Sequence, residues 1–289
     1  MPKENTHLYF AKRLLDSPVE KEIMEPVGNS KQEFFLGCIF PDSFYYHPQK
    51  EVEALSDRLH GRGENAGQMF IAFLKTAKKN RSIQDYSFIM GYISHWSLDK
   101  IFHPVIEQLC GDYPHPHSGI GLTTVYHHRL LETDLDHRVN SGCYVHEMID
   151  IDSLSSLYAM QLLAEHTGID EAEFRTAFER QKRINRMMTK KWAYIWARLL
   201  KLAGKKGMND ILPLFYAHLK THREPFPDAV YDESSENSHR KYRSVKDLFR
   251  QAEAFARSVS RPAHGFLNDT GDNEESFLAE IRNLLAGSV

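Results

Sequence analysis

Apolar side chains recur every three or four positions through nearly the whole chain, and no stretch keeps the strict alternation of a half-buried strand. The pattern predicts an all-α protein with helices over about 6–16, 31–38, 63–80, 83–110, 119–139, 152–166, 170–204, 207–221, 244–260 and 274–286. Asp170 followed by Glu173 is placed for a capping box, and Gly111 and Gly204 sit where helices end. Between about 222 and 243, Pro225, Pro227, Asp228 and a Ser-Ser-Glu-Asn-Ser run predict a long surface loop. No internal repeat and no linker between two cores is visible, so residues 1–289 are expected to form a single multi-helical domain.

Composition changes this picture little. A 289-residue chain with 42% hydrophobic residues can bury a large core, and a net charge of −3 predicts no general attraction to nucleic acid or anionic membrane. The first residues lack the pattern of a secretory leader, and apolar runs such as 34–40 fall far short of the roughly 20 residues that span a bilayer. Cys38, Cys110 and Cys143 lie far apart with no CxxC pair, which argues against a disulfide framework and a thiolate zinc site. A cytoplasmic protein without a transmembrane segment is expected.

Histidine is the anomaly. Sixteen occur, and half of them lie between residues 95 and 146. His95, Asp99 and His103 fall at i, i+4 and i+8, along one stripe of a helix flanked by Trp96, Leu98, Ile101 and Phe102. Imidazoles and a carboxylate on an apolar surface are costly unless paired or bound to a cation. A hydrogen-bond network at a helix interface would also satisfy them. A second stripe, His128, Glu132 and Asp136, repeats the spacing on the next long helix, and two such helices together point to a polynuclear metal site. Pro41 is expected to break its helix and leave Asp42 on a short turn, His60 lies just before the helix starting near residue 63, and His7 is on the first helix. His127 points about 100° away from His128 and is outside the stripe. His115 and His117 occupy a proline-rich loop near the expected site, and the basic stretch from Arg180 to Lys191 reads as a solvated helix face.

In order along the chain, Thr-His7-Leu-Tyr-Phe-Ala, Phe-Leu-Gly-Cys-Ile-Phe-Pro-Asp42, Leu-His60-Gly, Gly-Tyr-Ile-Ser-His95-Trp-Ser-Leu-Asp99-Lys-Ile-Phe-His103-Pro and His128-Arg-Leu-Leu-Glu132 resemble the zinc-dependent phospholipase C family, which shares its all-helical fold with the S1/P1 nucleases. The resemblance runs from about residue 6 to 140. It implies one zinc on Asp42, His60, His95 and Asp99, a second on His103, His128 and Glu132, and a third to which His7 contributes, bridged through Asp99. The third metal of secreted relatives is completed by an N-terminal tryptophan. No tryptophan precedes His7 here.

Two zinc ions are therefore expected, or three if His7 also binds one, although imidazole–carboxylate sites also accept iron or manganese. The expected activity is phosphoester hydrolysis by a metal-bound hydroxide, with Asp42 as ligand and catalytic base. The substrate is a phospholipid or nucleotide phosphoester, and stable nucleic-acid binding is not expected. Tyr45, Tyr46, Trp96 and Tyr126 lie near the ligands in sequence and are either core aromatics or substrate contacts. The competing readings are an S1/P1-like nuclease or other soluble phosphoesterase, and a metal-stabilised helical binding module without turnover. An HD-type phosphohydrolase would need an adjacent His-Asp pair, whereas this chain has Asp136-His137 in reverse order.

Overall fold

The computed structural model describes residues 3–17, 21–60, 67–110, 124–140, 142–221, 226–231, 242–271 and 273–286. In it the helices are α1 (Glu4–Leu15), α2 (Lys21–Met24), α3 (Lys31–Ser43), α4 (Lys50–Leu59), α5 (Gln68–Asn80), α6 (Ile83–Cys110) and α7 (Thr124–Val139), then α8 (Val145–Met148), α9 (Tyr158–Thr167), α10 (Glu171–Met188), α11 (Lys191–Leu202), α12 (Met208–Ile211), α13 (Val245–Asn268) and α14 (Glu274–Ala286). The all-α expectation holds. From Asp85 to Leu98 every residue of α6 except Trp96 is buried, as a helix that is apolar all round must be when it forms the centre of a protein. The helices α1, α3, α5, α7 and α13 pack around it.

The closest packing is between α3 and α6. A Cβ placed on Gly37 would lie 2.0 Å from the carbonyl oxygen of Phe88, and one on Gly91 would lie 2.0 Å from that of Phe34. The two glycines thus let the backbones touch reciprocally, and any side chain there would push the helices apart. Asp42 follows Gly37 by five residues and His95 follows Gly91 by four, so this crossing sets the spacing of the polar cluster described below.

Several boundaries differ from expectation. Pro41 does not end α3: the helix runs on to Ser43, its last turn held by the Ser43 hydroxyl on the Ile39 carbonyl (3.0 Å) and by Ser56 donating to the Pro41 carbonyl. Asp42 is therefore helical and not on a turn. The segment 50–59, not expected as a helix, forms α4, whose Val52, Leu55 and Leu59 supply a buried stripe. His60 caps its C-terminal end. The expected helix 170–204 breaks at Lys190, whose extended backbone (φ −93°, ψ 124°) redirects the chain into α11. Asp170 caps α10 by accepting from the Ala172 amide, but Glu173 turns to His47 (2.9 Å) instead of closing a capping box. The box forms at Ser244 and Asp247, which start α13.

Segment 207–221 is a four-residue helix followed by 3₁₀ turns, segment 152–166 begins as a 3₁₀ turn, and α13 continues eight residues past 260. Within the expected loop 222–243, β1 (Ala229–Tyr231) pairs antiparallel with β2 (Tyr242–Ser244), Val230 opposite Arg243. Three residues per strand are too few to show an alternating pattern. Gly111 and residues 119–123 and 63–66 lie outside the described residues.

All three cysteines are free and buried. Among the described residues no helix is long and apolar enough to cross a membrane.

Replacing Gly37 or Gly91 by alanine forces overpacking against backbone, which cannot swing aside. Either substitution should lower stability by about 3 kcal/mol, read as a drop in denaturation midpoint, while Gly28→Ala, with open space around its Cβ position, should not.

Candidate metal centre

Four elements converge on one buried cluster. α1 carries His7, the end of α3 carries Asp42, the C-cap of α4 is His60, and the middle of α6 supplies His95 and Asp99 one turn apart. His60 Nε2 lies 3.1 Å from Asp42 Oδ1 and 3.1 Å from His95 Nε2, and His95 Nε2 lies 3.3 Å from Asp99 Oδ2. His7 stacks on the His95 ring at 4.1 Å and reaches Asp99 Oδ1 at 3.4 Å and Asp42 Oδ2 at 3.8 Å. Two trios bring one ligand atom each within 4.8 Å of one another: Asp42, His60 and His95, and His7, His95 and Asp99. Asp99 turns one oxygen toward His7 and the other toward His60 and His95, so it faces ring nitrogens on both sides.

Backbone carbonyls orient two of the rings. His95 Nδ1 donates to the Cys38 carbonyl (2.9 Å) and His60 Nδ1 to the Ser56 carbonyl (2.7 Å), so in the neutral rings the Nε2 lone pairs point at each other and at the carboxylates. Lone pairs facing each other at this distance repel unless a proton or cation lies between them. Both His7 nitrogens, Asp42 Oδ1 and Asp99 Oδ1 are buried without a hydrogen-bond partner. Burial alone would raise the Asp42 carboxyl, yet the surrounding His95, His60 and His7 hold it below its usual range. Burial is likewise outweighed at Asp99, which His95 and His7 hold well below that range. Burial would lower His7, but the neighbouring Asp99 carboxylate, with Asp42 behind it, raises it, whereas burial and the neighbouring His7 lower His95. Two ionised carboxylates are thus enclosed with one imidazole inclined to protonate. A bound cation would satisfy the remaining orphan atoms.

The other expected ligands form a more accessible flank. His128 Nε2 bonds Glu132 Oε1 at 2.8 Å, and the His103 ring lies 6.0 Å from that of His128, but His103 Nδ1 turns to Glu107 at 3.0 Å. Among the described residues these three do not close into a trio like the two above. The His103 and His128 side chains are 23% and 26% exposed, against 0% for His7 and His95, so the cluster opens on this flank. Asp136, the third member of the second stripe, is fully buried and accepts from Asn5 (2.8 Å), Thr6 (2.9 Å) and Tyr216. It fastens α7 to α1.

Of the aromatics, Trp96 donates to the Leu59 carbonyl and packs on Tyr92 and Phe70, Tyr46 donates to Glu4, and the Tyr126 hydroxyl bonds His218. Tyr45 stacks on His60 and donates to Asp57. His115 and His117 lie outside the described residues. Arg180 is not simply a solvated residue, since its Nε donates to the Tyr46 carbonyl at 2.8 Å. Glu4 escaped the sequence reading: it is buried with Oε2 unpartnered, and burial raises its carboxyl above 4.5. Its signal was the i, i+3 spacing to His7 on the same helix.

A family model described as zinc dependent phospholipase C matches residues 6–186. The chain belongs to the zinc-dependent phospholipase C family. The match continues past residue 140 into the last turn of α10 and contains all eight residues expected as ligands. No curated protein and no solved structure matches the chain. The residues present fit the family's zinc: the cluster offers imidazole nitrogens and carboxylate oxygens, two of its rings are oriented through their other nitrogen, and its buried polar atoms lack partners.

The two stacked histidines should act oppositely on the metal-free protein. A raised His7 stabilises the fold fully below its ordinary pKa of 6.5 and loses that contribution as pH rises beyond it. A lowered His95 contributes fully above 6.5 and loses its share as pH falls. In chelator, the stability gap between wild type and His7→Gln should shrink as pH rises from 6.5 to 8.5, and that between wild type and His95→Gln should shrink as pH falls from 6.5. Melting temperatures across that range measure both.

Proposed function

We propose that this family member hydrolyses phosphodiesters of the phospholipid headgroup type, using zinc held by Asp42, His60, His95 and Asp99 and a second zinc held by His103, His128 and Glu132. His7 joins Asp99 on the inner side of the first group. The observation that carries the reading is a buried, partly unsatisfied His/Asp cluster flanked by the more exposed His103 and His128, on a chain whose family is zinc-dependent phospholipase C. When bound, zinc lowers the pKa of coordinated water to about 7 and withdraws charge from a phosphoryl oxygen.

The protein's own groups do the rest. The Cys38 and Ser56 carbonyls hold the Nδ1 protons of His95 and His60, which keeps their Nε2 atoms turned inward. His95 and His60 keep the Asp42 carboxylate ionised, so it can orient a water and accept its proton. Burial of His7, His95 and Asp42 leaves the flank of His103, His128 and Asp99 as the approach for a phosphate. We place the protein in the cytoplasm, a reading supported by three buried cysteines that form no disulfide.

Purified protein should contain at least one equivalent of zinc and hydrolyse a phosphatidylcholine or phosphatidylglycerol headgroup faster than a nucleotide phosphodiester. Asp42→Asn should lower kcat by about 10²-fold or more, and Asp99→Ala should lose metal as well as activity. Less than one equivalent of metal, together with an Asp99→Ala variant of unchanged activity, would overturn the reading. Metal bound with its coordination filled by protein and no turnover on any phosphoester would favour the binding module instead.

A further inference from the structure

α11 is packed inside out. Its small residues Ala193 and Ala197 face inward onto Met188, Leu212 and Phe215, while Trp192 and Trp196 are each 61% exposed and Leu202 80%. Ile195 and Leu199 lie on the same outward arc, since positions 192, 195, 196, 199 and 202 follow i, i+3, i+4, i+7 and i+10. Two of the chain's three tryptophans are thus held in solvent side by side, where burial elsewhere in the core would stabilise them.

The charge around this face is equally one-sided. Between Arg180 and Asn209 the chain carries ten Lys and Arg residues and no Asp or Glu, although the whole protein has a net charge of −3. Lys190, Lys191, Arg198, Lys201, Lys205 and Lys206 are all exposed beside the apolar arc. A tryptophan- and leucine-bearing face edged by cations, on a helix of 12 residues that cannot span a bilayer, matches the chemistry of an anionic lipid–water interface: indoles favour the headgroup level and lysines the lipid phosphates.

We propose that α11 docks the protein on the surface of an anionic phospholipid bilayer, with Trp192 and Trp196 inserted at the headgroup level. The helix is fastened to the rest of the molecule through Tyr194, whose hydroxyl lies 3.2 Å from His218 Nδ1. The same ring bonds Tyr126 on α7, the helix that carries His128 and Glu132. Docking through α11 therefore holds lipid near the helix that forms the accessible flank of the cluster. Vesicle binding requires no turnover, so this inference can fail or stand independently of the proposed hydrolysis.

The test is co-sedimentation of the full chain with vesicles of phosphatidylglycerol and phosphatidylcholine, or of phosphatidylcholine alone, with intrinsic tryptophan emission as a second readout. The expected result is binding to the anionic vesicles, a blue shift on binding, and release as salt rises. Trp192→Ala/Trp196→Ala should weaken binding at least about ten-fold without shifting the melting temperature, because both side chains are exposed. Lys201→Glu/Lys205→Glu, which leaves the apolar face intact, should weaken binding to anionic vesicles alone. Equal binding to both vesicle types, undiminished binding by the tryptophan variant, or a wild-type dimer that this variant converts to a monomer with no vesicle binding would each overturn the proposal.

Discussion

The glycine contact between α3 and α6 is the constraint on which the cluster depends. With no Cβ at Gly37 or Gly91, the two backbones approach until carbonyl meets glycine, and no rotamer change could reproduce that distance. One consequence is that the Cys38 carbonyl comes within hydrogen-bonding reach of the His95 ring, which orients a group that the local helix would leave free to rotate. A second is that Asp42, one turn on in α3, meets the i, i+4 pair of α6. The rest of the fold is arranged to deliver His7 and His60 to that pair, one on the first helix and one at a helix end.

Electrostatically the cluster is a deficit. Its carboxylates stay ionised although buried, His7 has a raised and His95 a lowered tendency to protonate, and several of its atoms have no protein partner. A structural hydrogen-bond network tends to pair its members fully. Incomplete pairing around lone pairs aimed at one another is what distinguishes a binding site from a core, and it agrees with the zinc of the family to which the chain belongs. The exposure gradient from His7 to His128 adds direction, because among the described residues the cluster is most accessible on the flank that α6 and α7 supply.

Much of the cluster was legible because its signals are local. His95 and Asp99 share a helix face whatever surrounds them, and the ordered segments from His7 to Glu132 carried the family resemblance that the match over residues 6–186 bears out. The errors were local rules overruled by distant partners. Pro41 should end a helix, but hydroxyls of Ser43 and Ser56 bind the carbonyls of its last turn. Glu173 should close a capping box, but His47 claims it. Asp136 fits the metal stripe by spacing, yet Asn5, Thr6 and Tyr216, from opposite ends of the chain, occupy its oxygens.

The amino-acid sequence by itself determined the helical class, the His and Asp residues that make up the cluster and the family, because periodicity and short motifs depend on neighbours three or four positions apart. Tertiary structure alone decided which nitrogen each ring presents, that Asp99 divides its oxygens between two groups, and that α11 turns its alanines inward and its tryptophans out. Helical spacing says which side chains share a face. Only the surfaces brought against that face decide whether it is buried, and helical spacing does not say which surfaces those are.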